Sequence, residues 1–205
     1  GNYVIGQHGE SILNGGAGGV NSVAGPGNVG KSEILNYFMF GAMSRIADSA
    51  AMVYDTENSM TYTRINRALQ RFPSLAHLDA TEGEGAERIV FTQSADILGD
   101  TYFEAIKDLR VARIKDGRKL YRTSPFLDGD GNPVKVMVPA IAGIDSLSEL
   151  KVSTVQEKLV DKNAVGESGA KVQFMHEAAA KKQIITQLPN MAASANIYFF
   201  MVAHI

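Results

Sequence analysis

The stretch Gly25-Pro-Gly-Asn-Val-Gly-Lys-Ser32 decides the fold of this chain, because it matches the phosphate-binding pattern G-x-x-x-x-G-K-S/T in full. Its glycines allow the backbone to wrap around an anion with successive N–H groups pointing inward. Such a loop needs a strand before it and a helix N-terminus after it. A short apolar run at 21–24 precedes the loop, and a helical pattern begins at Lys31, so the context fits.

This loop predicts a site for a nucleoside triphosphate, which we expect to be ATP, together with Mg²⁺. Lys31 is expected to reach the β- and γ-phosphates, and the Ser32 hydroxyl to ligate the magnesium ion. The alternative is a glycine-rich turn that binds nothing. The loop residues predicted to contact ATP are Gly25, Pro26, Gly27, Asn28, Val29, Gly30, Lys31 and Ser32.

Apolar strands alternate with helical patterns along the rest of the chain. This alternation predicts an α/β fold with a mainly parallel sheet and helices on both faces, and it predicts a single domain over 1–205. The predicted strands are 21–24, 51–55, 88–92, 138–145 and 197–203. The predicted helices are 31–48, 60–72, 96–115 and 172–188. The segment 119–138 predicts a β-hairpin around a glycine-rich turn, and 160–170 predicts a mobile loop.

Two carboxylates follow predicted buried strands and are candidates for the chemistry. Asp145 ends an apolar run and is placed to act on the metal through water, although a helix cap is the alternative. Glu57 lies two residues beyond another strand and is placed to orient an attacking water as general base. A helix cap is the alternative there as well, and Asp55 is the candidate for that structural role.

His204 ends the last predicted strand. Because ligands of parallel sheets bind at the carboxyl ends of the strands, this histidine is placed near the γ-phosphate. It is a candidate γ-phosphate sensor that reports the nucleotide state by hydrogen bonding. A histidine at a frayed chain end is the alternative.

The amino-acid composition disfavours or excludes several classes of function. The 205 residues carry a formal net charge of −2, which gives no support to a dedicated nucleic-acid binder. There is no cysteine, which excludes thiolate chemistry and cysteine-ligated metals. No apolar run approaches the ~20 residues of a membrane span, so we expect no membrane partner and a cytoplasmic location. The missing initiator methionine and the apolar last segment favour a piece of a longer protein.

The loop 25–32, Glu57, Asp145 and His204 follow one another along the chain. This succession resembles the ATPase core of the RecA/RadA superfamily. Tyr54-Asp-Thr-Glu-Asn58 is similar to the stretch that carries the catalytic glutamate in RecA, RadA and UvsX recombinases. Three further features resemble the phage UvsX type: Arg88-Ile-Val-Phe-Thr-Gln93, Ile144-Asp-Ser-Leu147 and the position of His204. The resemblance implies a RecA-like P-loop NTPase core with Glu57 as the hydrolytic glutamate. It also implies that Arg64 stacks on adenine, and the alternative is a solvated helix arginine.

By this resemblance the chain is expected to be the core of a phage-type DNA recombinase, working in recombination and repair in the host cytoplasm. Such proteins hydrolyse ATP while they self-associate into filaments on single-stranded DNA. We expect weak hydrolysis by the isolated chain, because the neighbouring subunit completes the site. One alternative is a RecA-fold hexameric helicase, which forms rings. The other is an ATP-switched assembly protein that binds no DNA.

Several features depart from the family pattern, and one is Ala203 before His204, where the family often has Asn. The hairpin at 119–138 is expected to be an insertion relative to the RecA-like core. The first DNA-binding loop of the family corresponds to the segment 160–170, which holds Lys162 and is not strongly basic. Lys181 and Lys182 follow nearby, although a cluster of this kind is usually a solvated helix face.

Overall fold

The computed structural model describes residues 2–5, 11–14, 19–45, 47–152 and 167–205. The strands are β1 (Asn2–Ile5), β2 (Ser11–Asn14), β3 (Val20–Gly25), β4 (Ala50–Asp55), β5 (Ile89–Gln93), β6 (Tyr121–Leu127), β7 (Pro133–Met137), β8 (Ala140–Asp145) and β9 (Ile197–His204). The helices are α1 (Lys31–Met43), α2 (Tyr62–Leu69), α3 (Gly83–Arg88), α4 (Gly99–Lys115) and α5 (Glu167–Ala195).

The central sheet has five strands in the order β3-β9-β8-β4-β5, and all of its pairings are parallel. The register places Gly25 opposite His204 and Asp55 opposite Asp145. Each of these four residues ends its strand, so the carboxyl ends of β3, β9, β4 and β8 meet at one edge. This topology confirms the predicted α/β fold and is that of a P-loop NTPase-like core.

Helices cover both faces of the sheet. Alternate residues of each strand point to opposite sides, so every strand has side chains that face each layer of helices. On one face, α1 and α2 pack against Val53 and Phe200. On the other face, α4 and α5 pack against Tyr54 and Phe199. The strands are therefore apolar on both sides, which explains their continuous apolar runs.

Three helices are shorter than predicted, and one of them is α4, which is predicted from 96 but begins at Gly99. The helix predicted over 31–48 ends at Met43, where the Ser44 N–H and hydroxyl bond to carbonyls of the last turn. The helix predicted over 60–72 begins at Tyr62 and ends at Leu69. It begins late because Thr61 caps it, with its side chain accepting from the backbone N–H of Arg64.

The last helix is longer than predicted at both ends. The prediction of 172–188 stopped before Pro189, yet α5 runs through this proline from Glu167 to Ala195. Proline normally interrupts a helix because it lacks an N–H donor. Here Leu188, Met191 and Ala195 on either side of Pro189 lie in the apolar core against β8 and β9. This packing holds the helix together past Pro189.

The hairpin predicted at 119–138 is confirmed. β6 and β7 pair antiparallel around a turn in which Asp128 accepts backbone N–H bonds from Asp130 and Asn132. The loop predicted at 160–170, with Lys162, lies outside the described residues up to 166, and Glu167 already belongs to α5. Among the described helices, none combines the length and apolar character needed to cross a membrane.

Candidate nucleotide site

The glycine-rich loop joins β3 to α1 at the carboxyl edge of the sheet. Two of its residues have left-handed backbone conformations, Asn28 with φ of 60° and Gly30 with φ of 83°. Gly30 is the N-cap of α1, and no side chain caps the helix there. The first N–H groups of α1 therefore face the loop without a side-chain partner. This is the local geometry that binds a phosphate anion.

Lys31 places its ammonium group inside the loop. The residue is only 5% exposed, and its Nζ donates to the Pro26 carbonyl at 2.5 Å. The stem of Lys31 also lies 3.7 Å from the position that a Cβ on Gly25 would take. The loop therefore surrounds this positive charge, which is where the sequence predicts phosphate to bind.

His204 connects Lys31 to Glu57. Its Nδ1 lies 3.4 Å from Lys31 Nζ, and its Nε2 lies 2.6 Å from Glu57 Oε1. An ammonium group can only donate and a carboxylate can only accept. The tautomer that satisfies both contacts has its proton on Nε2, so that Nδ1 accepts from the lysine. The structure thus brings three residues predicted from separate strand ends into one hydrogen-bonded chain.

Asp55 and Glu57 have different environments, which bears on the alternatives left open by the sequence. Asp55 is fully buried, and its carboxylate accepts from the backbone N–H groups of Glu57 and Met60 at 3.1 and 2.6 Å. Asp55 therefore has the structural role, organising the turn before α2. The Glu57 side chain makes none of the bonds that hold the turn and extends towards His204.

Two opposing effects set the pKa of Glu57. Burial raises the pKa, but the nearby Ser146 and His204 side chains and the charge of Lys31 outweigh burial and leave it below the ordinary value. The Ser146 hydroxyl acts here through proximity, since it has no hydrogen bond of normal geometry among the described residues. Glu57 is therefore ionised at neutral pH and able to accept a proton.

Asp145 is the buried carboxylate of the site. It is 2% exposed, and burial raises its pKa, with the carboxylates of Glu57 and Asp55 acting in the same direction. The nearby Ser32 side chain lowers the pKa and partly offsets this rise. Its Oδ2 atom has no hydrogen-bond partner among the described residues. A buried carboxylate oxygen without a partner is costly unless a ligand completes it.

Magnesium fits this position. Mg²⁺ prefers oxygen ligands, keeps several waters and uses few protein ligands besides the phosphates of its nucleotide. Ser32 and Asp145 supply a hydroxyl and a carboxylate side by side. Within the described residues there is no cluster of three or more histidine or acidic side chains that could hold a metal alone. The donor set therefore suits a metal that arrives with a nucleotide.

Arg64 lies beside the loop and pairs with Glu33 in the first turn of α1. Its Nη2 is 3.2 Å from Glu33 Oε1, and its Nη1 donates to the Ser59 carbonyl at 3.1 Å. Arg71 pairs with the other oxygen of the same glutamate at 3.2 Å. The guanidinium is thus held near the nucleotide loop, and its predicted contact with adenine stays a prediction.

Sequence reasoning missed residues that support the site. Ser148 accepts the backbone N–H of His204 through its hydroxyl at 2.8 Å, and Lys181 Nζ donates to the Ser148 carbonyl at 2.7 Å. Gln93 Nε2 reaches Asp55 Oδ2 at 3.4 Å. Ser148 and Gln93 follow or end strands, but only the neighbour relations of the sheet show what they touch.

An open groove of about 390 Å³ lies beside Ser148. It is lined by Leu147, Ser148, Ala178, Lys181, Lys182, Ile185, Thr186 and Ala203.

Comparison with known proteins adds little to this geometry. No protein-family model matches the chain, and no curated protein does. Among solved structures, the chain is similar to the pCW3 conjugation coupling protein TcpA in its monomer form with ATPγS, at 14% identity and a TM-score of 0.38. The match covers 91% of this chain and 42% of TcpA. The fold assignment therefore rests on the topology and loop of this chain itself.

Proposed function

We propose that this chain binds ATP with Mg²⁺ at the carboxyl edge of its sheet and hydrolyses it. The observation that carries the proposal is the meeting of Lys31, His204, Glu57 and Asp145 around one glycine-rich loop. These residues come from the ends of separate strands. A glycine-rich turn that binds nothing would not explain a buried lysine that His204 connects to the carboxylate of Glu57.

The residues have distinct roles in the proposed reaction. Lys31 exchanges its bond with the Pro26 carbonyl for phosphate oxygens and stabilises their negative charge. Bound magnesium would supply further charge neutralisation, held by Ser32 and through water by Asp145. Glu57 is ionised at neutral pH because its pKa is lowered, and as a carboxylate it orients the attacking water and accepts its proton. His204 lies between Lys31 and Glu57, where a γ-phosphate would change its hydrogen bonds.

We further propose that the ATPase belongs to a DNA recombinase of the phage UvsX type, which forms filaments on single-stranded DNA. The support is the resemblance of 54–58, 88–93 and 144–147 to the corresponding recombinase motifs, with His204 in the sensor position. Lys181 and Lys182 line a groove next to the strand that ends in His204. That groove offers positive charge to a phosphate backbone close to the nucleotide site.

ATP hydrolysis with and without single-stranded DNA tests this function. The measurement is steady-state phosphate release at low and moderate salt, with Lys31→Ala as the inactive control. We expect slow hydrolysis that DNA stimulates several-fold, with the stimulation fading as salt rises. Turnover near the typical enzyme value of about 10 per second without DNA would contradict the expected dependence on a neighbouring subunit.

Two other functions would give different results in the same assay. Hydrolysis that is abolished by Lys31→Ala but indifferent to DNA would favour an ATP-switched assembly protein, a function consistent with the formal net charge of −2. DNA-stimulated hydrolysis by closed rings in electron micrographs would favour a hexameric helicase over a filament. Absence of ATP binding would reject the proposal as a whole.

A further inference from the structure

Thr56 links the two strands that carry the acidic residues of the site. β4 and β8 are neighbours, and their last paired residues are Asp55 and Asp145. The Thr56 N–H donates to the Asp145 carbonyl at 2.7 Å, which is the backbone hydrogen bond that closes this last pair.

The Thr56 hydroxyl adds two further hydrogen bonds to the same place. Its Oγ1 accepts from the Ser146 N–H at 2.7 Å and donates to the Ser146 carbonyl at 2.8 Å. Thr56 is 6% exposed and Ser146 is fully buried, so water does not compete for these bonds. We call these three hydrogen bonds, made by the Thr56 N–H and hydroxyl to Asp145 and Ser146, the Thr56 clasp.

The segment after Thr56 is held from the other side as well. Ser94, just beyond β5, donates its hydroxyl to the Thr56 carbonyl at 2.9 Å. Asn58 bonds to the Ser94 hydroxyl at 3.0 Å and accepts from the Ala95 N–H at 3.2 Å. Glu57 therefore lies between two anchored residues, and its backbone has little freedom to shift.

We propose that Thr56 is a positioning residue, whose clasp fixes the Glu57 carboxylate relative to Asp145. Thr56 precedes Glu57 directly, and Ser146 follows Asp145 directly. The clasp therefore sets the spacing between the carboxylate that orients water and the carboxylate on the metal side. Thr56 itself touches neither nucleotide nor metal in this role. The inference rests on the proposed ATPase function of the same site.

The clasp matters for the rate of hydrolysis more than for nucleotide affinity. Affinity depends mainly on the loop 25–32, and no residue of this loop forms any of the three hydrogen bonds of the clasp. The rate depends on where Glu57 holds water relative to the phosphate, and a misplacement of about 1 Å can lower a rate by about 100-fold. Loss of the clasp should therefore lower kcat and leave the Kd for ATP nearly unchanged.

The test compares Thr56→Val, which removes the hydroxyl at nearly constant volume, with Thr56→Ser, which retains it. Single-turnover ATP hydrolysis and the Kd for ATP–Mg are measured for each variant and the wild type, and thermal unfolding checks that each folds. We expect Thr56→Val to hydrolyse ATP about 10- to 100-fold more slowly, with its Kd within about threefold. Thr56→Ser should retain most of the wild-type rate. If Thr56→Val does not fold, Thr56→Ala provides the same comparison with less steric demand.

The outcomes separate the two proposals. A wild-type protein that does not bind or hydrolyse ATP rejects the proposed function, and the inference falls with it before any variant is compared. An active wild type with an unchanged rate in Thr56→Val overturns the inference alone. A third outcome is that Thr56→Val lowers both the rate and the affinity for ATP, and that Thr56→Ser does not restore them. This would show that Thr56 only maintains the fold, and it also overturns the inference.

Discussion

A charged side chain is buried at each of two edges of the central sheet, Arg113 at the amino edge and Asp145 at the carboxyl edge. The two differ in their hydrogen-bond partners. At the amino edge, the Arg113 guanidinium donates from Nε to the Ala195 carbonyl at 2.8 Å and from Nη2 to the Val138 carbonyl. These acceptors lie where α5 ends and where the hairpin returns to β8. At the carboxyl edge, Asp145 keeps one buried carboxylate oxygen without a partner among the described residues.

This difference separates a structural charge from a functional one. The bonds of Arg113 all go to backbone groups that the fold itself supplies, so this charge joins the elements of the amino edge. Burial raises the pKa of Asp145, and the nearby carboxylates of Glu57 and Asp55 raise it further. A protein keeps such an unfavourable group where a ligand makes use of it. Variants at the amino edge should therefore change stability, and variants at the carboxyl edge should change ATP hydrolysis.

The largest expected effect is on the rate of hydrolysis in Glu57→Gln at the carboxyl edge. The amide keeps the size of the side chain but cannot accept the proton of water, so the rate should fall by about 100-fold or more. The Kd for ATP–Mg should change little, because Lys31 and the loop are intact. Single-turnover hydrolysis with a parallel binding titration measures both. A rate within a few-fold of the wild type would remove Glu57 from the proposed mechanism.

Arg113→Met should have the largest effect on stability. It leaves two buried carbonyls without their charged donor, which we expect to lower the free energy of unfolding by about 2–4 kcal/mol. Urea denaturation measures this change. The Kd for ATP–Mg of the folded variant should equal that of the wild type. A stable variant with impaired nucleotide binding would contradict the division between the two edges.

Asp145→Asn should separate stability from function at a single residue. Because the folded protein has a raised pKa for Asp145, the ionised carboxylate opposes folding above that pKa. The variant should therefore have a higher Tm than the wild type at neutral pH, with the difference shrinking as pH falls and the wild-type carboxyl is protonated. Hydrolysis should also slow, but by less than in Glu57→Gln, because Asp145 acts on the metal through water. Thermal unfolding from pH 4 to pH 8 without nucleotide tests this, and a lower Tm at neutral pH would contradict it.

The smallest expected effect is that of Arg122→Ala at the base of the hairpin. Arg122 pairs with Asp48 at 2.9 Å, but the two side chains are 44% and 61% exposed. Exposed pairs contribute about 0–1 kcal/mol, and raised salt should reduce the difference further. Urea denaturation at two salt concentrations checks this. A large loss of stability would contradict the small contribution expected of an exposed ion pair.

The sequence predicts those parts of the fold that depend on local pattern. The glycine-rich loop is encoded within eight consecutive residues, Gly25 to Ser32. β4 and β8 could be found because strands buried on both faces are continuously apolar. The end of α1 differs from the prediction because Ser44 bonds locally to carbonyls of the last turn. The course of α5 through Pro189 differs because core contacts on either side of the proline override its local preference.

The site was predictable as a set of residues but not as a set of contacts. Strand-end positions indicated Lys31, Glu57, Asp145 and His204, since ligands bind at that edge of a parallel sheet. The Thr56 clasp joins residues 90 positions apart. Finding it requires knowing that β4 and β8 are neighbours, which local pattern does not reveal. The structural role of Asp55 likewise depends on the turn geometry that its carboxylate stabilises.

The most direct test of the central claim is a calorimetric titration of the protein with ATP, in Mg²⁺ and in EDTA, beside Lys31→Ala. We expect one ATP bound per chain in Mg²⁺, with affinity at least about tenfold weaker in Lys31→Ala, where about 1.4 kcal/mol of binding free energy is lost. Binding should also weaken in EDTA, because Ser32 and Asp145 then have no metal to hold. No heat of binding by the wild type, or equal affinity in Lys31→Ala, would contradict a nucleotide site at this edge of the sheet.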